Sequence, residues 1–343
     1  MAQPLPSRTS EMYQEGTLHE HEGHHHHTHG RTDPTVLTSD RGIWAVKWSF
    51  LGLMATALAQ VVAVLLSGSV ALLADTLHNF GDAFTVVPLW VAFALSQRRP
   101  NRRFTYGYGR VEDLAGIAIV FTILLSGLAI GYESVQRLLN PQPVQNLWIV
   151  AMASIIGFLG NEAVAQFRLK VGREIESAAL VADGYHARAD GLTSLAVLAG
   201  AAGVWLGFPL ADPLVGLLIT FLILRIVWES AAEVFTRVLD GVDPRVVEQI
   251  EYTVAGTPGV RRVGEVRARW IGHRLHAEIN LAVHRELSTA KSHALALEVR
   301  HRLLHDLSYL SNAIIHVDPS DACGEEHHGT EAHVHDDLPP HSH

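Results

Sequence analysis

The sequence predicts a membrane protein with an all-α bundle of six transmembrane helices, followed by a small α+β domain with the element order αββαβ. Three observations favour this fold class. Only 18% of the 343 residues are charged, whereas 48% are hydrophobic. The hydrophobic residues form long runs between Ile43 and Ala232, each near the roughly 20 residues that cross a bilayer core. After this region, polar and hydrophobic residues alternate with the periods of helices and strands.

Six apolar runs define the membrane domain, which we predict at residues 42–235. They cover residues 43–66, 70–95, 114–138, 147–169, 178–206 and 213–231. A large soluble core accounts for one or two such runs, whereas six in succession favour a membrane bundle. The first run begins after residue 40 and has no small-residue cleavage site, so it is not predicted to be a signal peptide.

The distribution of Lys and Arg predicts the orientation of the bundle. The connections after the first, third and fifth runs contain neither residue, whereas the other two connections are basic. The basic residues are Arg98, Arg99, Arg102, Arg103 and Arg110 after the second run, and Arg168, Lys170 and Arg173 at and after the end of the fourth, where we assign them to the connection. The positive-inside rule therefore predicts a multi-pass protein of the cell inner or plasma membrane with both termini in the cytoplasm.

Both terminal segments, 1–41 and 320–343, are rich in His and are predicted to be disordered cytoplasmic tails. Residues 19–29 read HEHEGHHHHTH, with seven His and two Glu, and residues 327–343 contain six more His. A purification tag is disfavoured because Glu, Gly and Thr interrupt the tract inside the chain. Clustered imidazoles bind Zn²⁺, Ni²⁺, Co²⁺ or Cu²⁺ in loose, exchangeable coordination, which is typical of a metal-collecting tail.

Charge and cysteine content exclude other classes. The net charge of −9 gives no support for a nucleic-acid partner, because such proteins carry a basic surface. The single cysteine, Cys323, excludes an intramolecular disulfide and is typical of a reducing compartment.

Residues 240–319 predict a folded αββαβ domain of the ferredoxin-like kind. Its first helix begins at Asp243–Pro244 and stops at Gly-Thr-Pro-Gly, and its second helix begins after Ser288. Two alternating segments between them predict a strand pair, and AIIHV predicts a third strand. The strand residues expected on the buried face are Leu275, Ala277, Ile279, Leu281 and Val283. The domain is too small for an enzyme's deep cleft, so we predict no enzymatic activity, no catalytic residue and no bound cofactor.

The pattern Asp-x-x-His-x-x-x-Asp occurs twice, as DTLHNFGD at 75–82 and as DGYHARAD at 183–190. Positions i, i+3 and i+7 share one face of a helix, so each motif places three polar side chains in a stripe along a membrane helix. The two stripes consist of Asp75, His78 and Asp82, and of Asp183, His186 and Asp190. An ionisable residue at membrane depth costs several kcal/mol unless it has a partner, and four facing carboxylates repel unless a cation lies between them.

The repeated motif therefore predicts a metal site of two nitrogen and two oxygen ligands. The ligands are His78, Asp82, His186 and Asp190, a set that suits tetrahedral Zn²⁺, with Co²⁺ and Cd²⁺ close behind. Asp75 and Asp183 lie one turn earlier, where they orient an imidazole or carry protons. The alternative is a structural polar network that joins two helices. The occurrence of the same motif on both helices favours the metal site over this alternative.

Metal and protons compete for such ligands, as a proton-coupled transporter requires. The sequence has no G-x-x-x-x-G-K-[ST], the motif of an ATPase, and its apolar runs contain no H-E-x-x-H, the motif that would indicate an intramembrane metalloprotease. A zinc hydrolase would need an open coordination position on the metal, and the four protein ligands predicted here argue against one. A membrane-anchored metal sensor or buffer, in which the tails and the soluble domain act, remains an alternative.

Asn161 and Glu162 are polar residues within the fourth run. We expect them to form an inter-helix hydrogen bond rather than to line the path of the metal.

Residues 42–319 closely resemble the cation diffusion facilitator family. The segments that carry the resemblance are GSVALLADTLHNFGD, YGYGRVEDLAG, ADGYHARADGLTSL, ADPLVGL and IIHVDP, in this order. The resemblance implies a homodimer that exports divalent metal ions from the cytoplasm in exchange for protons. An HxxxD pair on both helices is similar to the zinc-preferring members, although a Co²⁺-, Ni²⁺- or Cd²⁺-preferring exporter of the same family is the alternative. Zinc is then the transported substrate.

The resemblance also implies residues outside the membrane. Metal bound by the cytoplasmic domain at the dimer interface would use His293, His316 and Asp318. Asn280 and Gly264 replace two further family ligands, so we expect this site to be weakened or rearranged, with His276 on the exposed strand face as a substitute. Phe104 and Tyr108 occupy positions of His ligands in the loop after the second run, where we expect no metal. Arg110 and Asp240 match a charge pair that joins the two domains.

Overall fold

The computed structural model describes residues 34–67, 86–140, 147–208 and 210–321. His78 and Asp82 of the predicted quartet, together with Asp75, Cys323 and the His-rich tails, lie outside the described residues. The boundaries predicted for the two tails, the membrane domain and the C-terminal domain stay predictions.

Six described helices occupy the apolar half of the chain. They are α1 (Pro34–Ser67), α2 (Val86–Ser96), α3 (Arg110–Leu139), α4 (Leu147–Glu174), α5 (Ala178–Trp205) and α6 (Ala211–Val238). Within the described ranges, four segments are long and apolar enough to cross a membrane, namely Thr38–Val62, Arg110–Leu139, Trp148–Glu174 and Ala211–Val238. The described part of α2 has 11 residues, and α5 contains Asp183, Arg188 and Asp190, which lower its hydropathy. The chain is a multi-pass membrane protein, and the count of six spans stays a prediction.

Helix α5 packs against α3, α4 and α6 and holds a buried face rich in Ala and Gly. Small residues allow membrane helices to approach closely, because packing rather than water exclusion drives their association. A Cβ atom on Gly184 would lie 2.8 Å from Leu169 Cγ, and one on Gly172 would lie 2.9 Å from the backbone nitrogen of Val181. These contacts leave no room for larger residues where α4 meets α5.

Large apolar side chains cover the outer surface of the helices. Leu125 on α3, Trp148 on α4 and Phe221 on α6 are all more than half exposed. Such a surface is unfavourable in water but suits the hydrocarbon core of a bilayer. The outward-facing residues therefore agree with the apolar composition of the spans.

The C-terminal part of the chain forms a two-layer α+β domain. Its elements are α7 (Pro244–Ala255), β1 (Val260–Ile271), β2 (Arg274–Val283), α8 (Thr289–Asp306) and β3 (Leu310–Pro319). The sheet order is β1-β2-β3, with β1 antiparallel and β3 parallel to β2. The side chain of Asp243 accepts a hydrogen bond from Arg245 N, and that of Ser288 accepts one from Lys291 N. The predicted α+β domain is thus confirmed, including both helix starts.

One face of β2 forms the centre of this domain. The five residues predicted on that face are each at most 3% exposed, namely Leu275, Ala277, Ile279, Leu281 and Val283. They pack with Ile250 of α7 and with Val299 and Leu303 of α8. The alternation of β2 therefore sets both its inner face and the layer of helices that covers it.

The turn between β1 and β2 packs against the first residues of α3. Gly272 has a φ of +62°, and a Cβ atom there would lie 2.8 Å from the carbonyl oxygen of Gly109. Gly109 is constrained by the same close approach, since a Cβ atom there would lie 2.8 Å from the carbonyl oxygen of Ile271. Two glycines thus allow the backbones of the two domains to touch.

Candidate metal site and its surroundings

The second Asp-x-x-His-x-x-x-Asp motif lies in the first half of α5. Ser177 caps this helix, because its hydroxyl oxygen accepts a hydrogen bond of 3.1 Å from Leu180 N. His186 and Asp190 lie one turn apart on the buried face and are 1% and 8% exposed. The Nε2 atom of His186 lies 3.9 Å from the Oδ2 atom of Asp190.

This separation is close to what a shared metal ion requires. A tetrahedral zinc with ligand bonds of about 2.0–2.2 Å places neighbouring donor atoms about 3.4 Å apart. At 3.9 Å, the His186 and Asp190 atoms are slightly farther apart than that. The structure thus brings together the α5 half of the predicted quartet, whereas His78 and Asp82 fall in the segment 68–85 that it does not describe.

Asp183, predicted to lie beside the metal ligands, forms a buried ion pair with Arg168 of α4. Nη1 of Arg168 lies 3.1 Å from Oδ2 of Asp183 and 3.3 Å from its carbonyl oxygen. The two side chains are 1% and 0% exposed. The assignment of Arg168 to a basic connection is therefore wrong, since α4 continues to Glu174 and this arginine faces the protein interior.

A second ion pair joins α4 to α5 deeper in the bundle. Arg188 donates to Glu162 with a shortest distance of 2.9 Å, and both side chains are partly buried. Asn161, next to Glu162, is 3% exposed. The contact agrees with the inter-helix role favoured for Glu162. Arg188 was missed in the sequence, although a basic residue between two metal-ligand positions of an apolar helix was a signal for such a partner.

The residues implied for a cytoplasmic metal site are only partly adjacent. His316 Nε2 lies 3.0 Å from Asp318 Oδ1 on β3, and Asn280 pairs with His316 across the sheet. Gly264 approaches Asn280 from β1, whereas His293 is an exposed residue of α8. Within the described ranges of this single chain, no group of three or more His, Cys, Asp or Glu side chains is placed to hold a metal ion.

His276 differs from the exposed position expected for it. The side chain is half-buried, its Nε2 lies 3.1 Å from Ser311 Oγ, and its ring meets the edge of Tyr106. Burial lowers the pKa of His276, and the guanidinium groups of Arg269, Arg274 and Arg110 lower it further. These groups create a positive electrostatic potential around the imidazole, which disfavours a bound cation.

Arg110 joins the two domains, as the matching charge pair implies. Its guanidinium forms an ion pair with Asp240 and donates a hydrogen bond of 3.0 Å to the carbonyl oxygen of Arg237. The side chain of Arg237 in turn lies over the ring of Trp270 on β1, 4.5 Å from the ring centroid. Phe104 and Tyr108, in the preceding loop, pack their rings 4.9 Å apart.

A buried polar network at the same junction has no counterpart in the sequence predictions. The ring of His273, in the β1–β2 turn, lies 2.7 Å from Glu112 Oε2 and 2.8 Å from Thr38 Oγ1. Ser177 donates a hydrogen bond to the other oxygen of Glu112. His273 and Glu112 are each 1% exposed. The network connects α1, α3 and the α4–α5 turn to the cytoplasmic domain.

Known proteins match the chain along most of its length. The family models described as cation efflux transmembrane domain and cation efflux protein, cytoplasmic domain match residues 46–239 and 242–320. A probable cation efflux system protein of Mycobacterium tuberculosis (strain H37Rv) is 52% identical over 298 residues, which cover 87% of this chain and 90% of that protein. Zinc transporter ZitB of Escherichia coli (strain K12) is 27% identical over 320 residues, covering 92% and 98%. A cadmium form of a MamM C-terminal domain variant covers 22% of this chain and 94% of its own at 23% identity, with a TM-score of 0.22.

Proposed function

The chain belongs to the cation efflux family of divalent metal transporters, also called the cation diffusion facilitators, and on this premise we propose that it exports Zn²⁺ from the cytoplasm in exchange for protons. Family membership gives the general activity. The choice of zinc, the exchange for protons and the residues of the site are the parts proposed here. Similarity to a protein named zinc transporter supports the choice of zinc.

The observation that carries the proposal is the buried pair His186 and Asp190. One nitrogen donor and one oxygen donor lie 3.9 Å apart on one helix face, almost sealed from solvent. A repeat of the same three-residue pattern at 75–82 supplies a second nitrogen and a second oxygen, from His78 and Asp82. Two imidazoles and two carboxylates suit tetrahedral Zn²⁺, whereas Mg²⁺ and Ca²⁺ require more oxygen ligands.

Exchange for protons follows from the chemistry of these ligands. Imidazole binds metal in its neutral form and carboxylate in its ionised form, so metal and protons compete for the same four groups. The site would bind Zn²⁺ while it faces the cytoplasm and would release it when protons replace the metal on the other side of the membrane. It would then return to the cytoplasmic side carrying protons and no metal. The proton gradient then drives zinc out of the cytoplasm.

We further propose a homodimer with both termini in the cytoplasm. The loop between α2 and α3 carries Arg98, Arg99, Arg102 and Arg103, all exposed, which supports its cytoplasmic position. A cytoplasmic metal site would combine His316 and Asp318 with His293. Because these three are not grouped within one chain, such a site depends on how two copies meet.

Zinc uptake into proteoliposomes tests the proposal, with the purified full-length chain and an imposed pH gradient. Asp190→Ala should abolish uptake while the protein remains folded, because one of two carboxylates that balance the metal charge is lost. Glu229→Ala is the matched control, since this carboxylate lies on α6 and is half exposed in a pair with Arg225. Uptake at the wild-type rate by the Asp190 variant, or uptake indifferent to the pH gradient, would contradict the proposal.

A further inference from the structure

A cavity of about 430 Å³ lies between the α2–α3 loop and the β1–β2 turn of the cytoplasmic domain. Sites for small ligands occupy roughly 300–1,000 Å³, so the cavity is large enough for a compact ligand. It adjoins the last residue of α2, Ser96, and the residue before α3, Gly109. The cavity therefore lies beside the ends of two membrane helices, at the level of the membrane surface, and is separate from the His186–Asp190 pair.

Basic side chains dominate the charged lining of this cavity. Arg98, Arg99 and Arg274 contribute to its wall, and no acidic residue is among the described residues that line it. Arg98 and Arg99 have no ion pair with a carboxylate in the part of the chain that the structure describes. Arg274 is held in place by hydrogen bonds of 3.1 and 3.3 Å to the carbonyl oxygens of Ser308 and Leu310.

The nearby carboxylates are engaged elsewhere. Both oxygens of Glu112 accept contacts from His273 and Ser177. Asp40 accepts a hydrogen bond of 2.7 Å from Gln97, and Glu278 lies 3.5 Å from a nitrogen of Arg269. Among the described residues, none of these carboxylates lines the cavity or forms an ion pair with Arg98 or Arg99.

Two tyrosines add hydroxyl donors to the wall. The hydroxyl oxygen of Tyr108 accepts a hydrogen bond of 2.7 Å from Asn101 Nδ2, and that of Tyr106 accepts one of 3.1 Å from Arg269. Because each oxygen already accepts, each hydroxyl proton is available to donate. Guanidinium groups together with hydroxyl donors are the groups that bind phosphate oxygens.

We propose that this cavity binds a phosphate group, with Arg98 and Arg99 as its main charged ligands and Tyr106 and Tyr108 as further donors. Two sources carry this chemistry at a membrane surface, the headgroup of an anionic phospholipid and soluble phosphate. The position of the cavity beside two helix ends favours the headgroup. The inference does not depend on which metal the protein transports.

The loop itself offers a matched control for the test. Arg98→Gln/Arg99→Gln removes two charges from the cavity, and Arg102→Gln/Arg103→Gln removes two charges from exposed positions in the same loop that do not line it. In one arm, phosphatidylglycerol is titrated against the full-length protein in phosphatidylcholine nanodiscs, and native mass spectrometry counts the anionic lipid retained. In the other, inorganic phosphate replaces chloride at equal ionic strength, and thermal unfolding measures its binding.

We expect about tenfold weaker binding in the Arg98/Arg99 variant, since charge-assisted hydrogen bonds are lost, and less than a twofold change in the Arg102/Arg103 variant. Selective loss in the lipid arm identifies a headgroup as the source, and selective loss in the phosphate arm identifies a soluble anion. Equal losses in both variants would mean general attraction to the loop and would overturn the proposal. Absence of binding in both arms would overturn it as well.

Discussion

Arg168 sets how much negative charge α5 contributes to the metal site. This helix contains two buried carboxylates, Asp183 and Asp190, and the guanidinium of Arg168 lies 3.1 Å from the first. A buried charge is tolerated when a well-placed partner compensates it. The protein therefore neutralises Asp183 itself, and Asp190 is the carboxylate that α5 adds to the proposed quartet. In that proposed quartet, Asp190 and Asp82 together would balance the double charge of a zinc ion.

Among single residues, the lowered pKa of His276 leads us to expect a specific pH dependence of the stability of the protein. Its pKa is lowered in the folded protein, mainly by burial, whereas the unfolded chain has the usual pKa of about 6.5. As the pH falls through about 6.5, the unfolded state therefore binds this proton before the folded state does, and stability decreases. His276→Gln should reduce the loss of stability between about pH 7 and pH 5.5.

Thermal unfolding of the full-length protein in detergent, followed across this pH range, measures the effect. His301→Gln is the control, because His301 is an exposed residue of α8, and we expect the slope of this variant to match that of the wild type. Identical slopes for the wild type and His276→Gln would contradict the prediction.

At the scale of elements, the β1–β2 turn controls the contact between the two domains. Gly272→Ala should destabilise the protein in two ways. A left-handed conformation costs a residue with a Cβ atom about 1–2 kcal/mol, and this Cβ would also lie 2.8 Å from Gly109 O and 2.9 Å from Glu112 Oε2. We expect a lower unfolding temperature and faster proteolytic release of the cytoplasmic domain.

Gly207→Ala separates these two causes. Gly207 has a φ of +89°, but a Cβ atom there would meet no other atom within 4 Å. This variant therefore carries the conformational cost alone and should be the milder of the two. If the two variants show equal losses of unfolding temperature, and neither speeds release of the domain, the close contact at the turn is not important for docking.

The elements themselves were largely predictable because local sequence determines them. Alternation identified β1 and β2, and the caps Asp243 and Ser288 marked two helix starts. The two buried contacts of His273, with Glu112 and Thr38, were not predictable, because both partners lie far along the chain. His273 lies 161 residues from Glu112 and 235 from Thr38. Arg168 was assigned to a connection because a positive charge near a helix end usually marks one, and only packing reveals its burial.

At the scale of the whole molecule, the His-rich tails distinguish a transporter from a metal buffer. Deleting residues 1–40 together with 322–343 should leave maximal zinc transport nearly intact and modestly raise the half-saturating zinc concentration. We expect this because His-rich tails would raise the local concentration of metal near the entrance, which matters only when free metal is scarce. Transport assays of the truncated chain at low and saturating zinc measure both quantities.

Asp190→Ala with intact tails serves as the reciprocal control. If the truncated chain fails to transport even at saturating zinc, the tails belong to the transport mechanism. If the Asp190 variant still lowers free zinc in a manner that requires the tails, the buffer explanation is favoured.

The cytoplasmic domain and the connector that precedes it contact the bundle at three places. His273 attaches its turn to Thr38 and Glu112, Asp240 is clamped to Arg110, and Trp270 lies under Arg237. Because these contacts involve both the connector and the β1–β2 turn, a movement of the domain relative to the bundle would break at least one of them. The short connector between α6 and α7 is therefore not a free joint, and a shift of the adjacent ends of α1, α3 and α6 would be transmitted to the domain through these contacts.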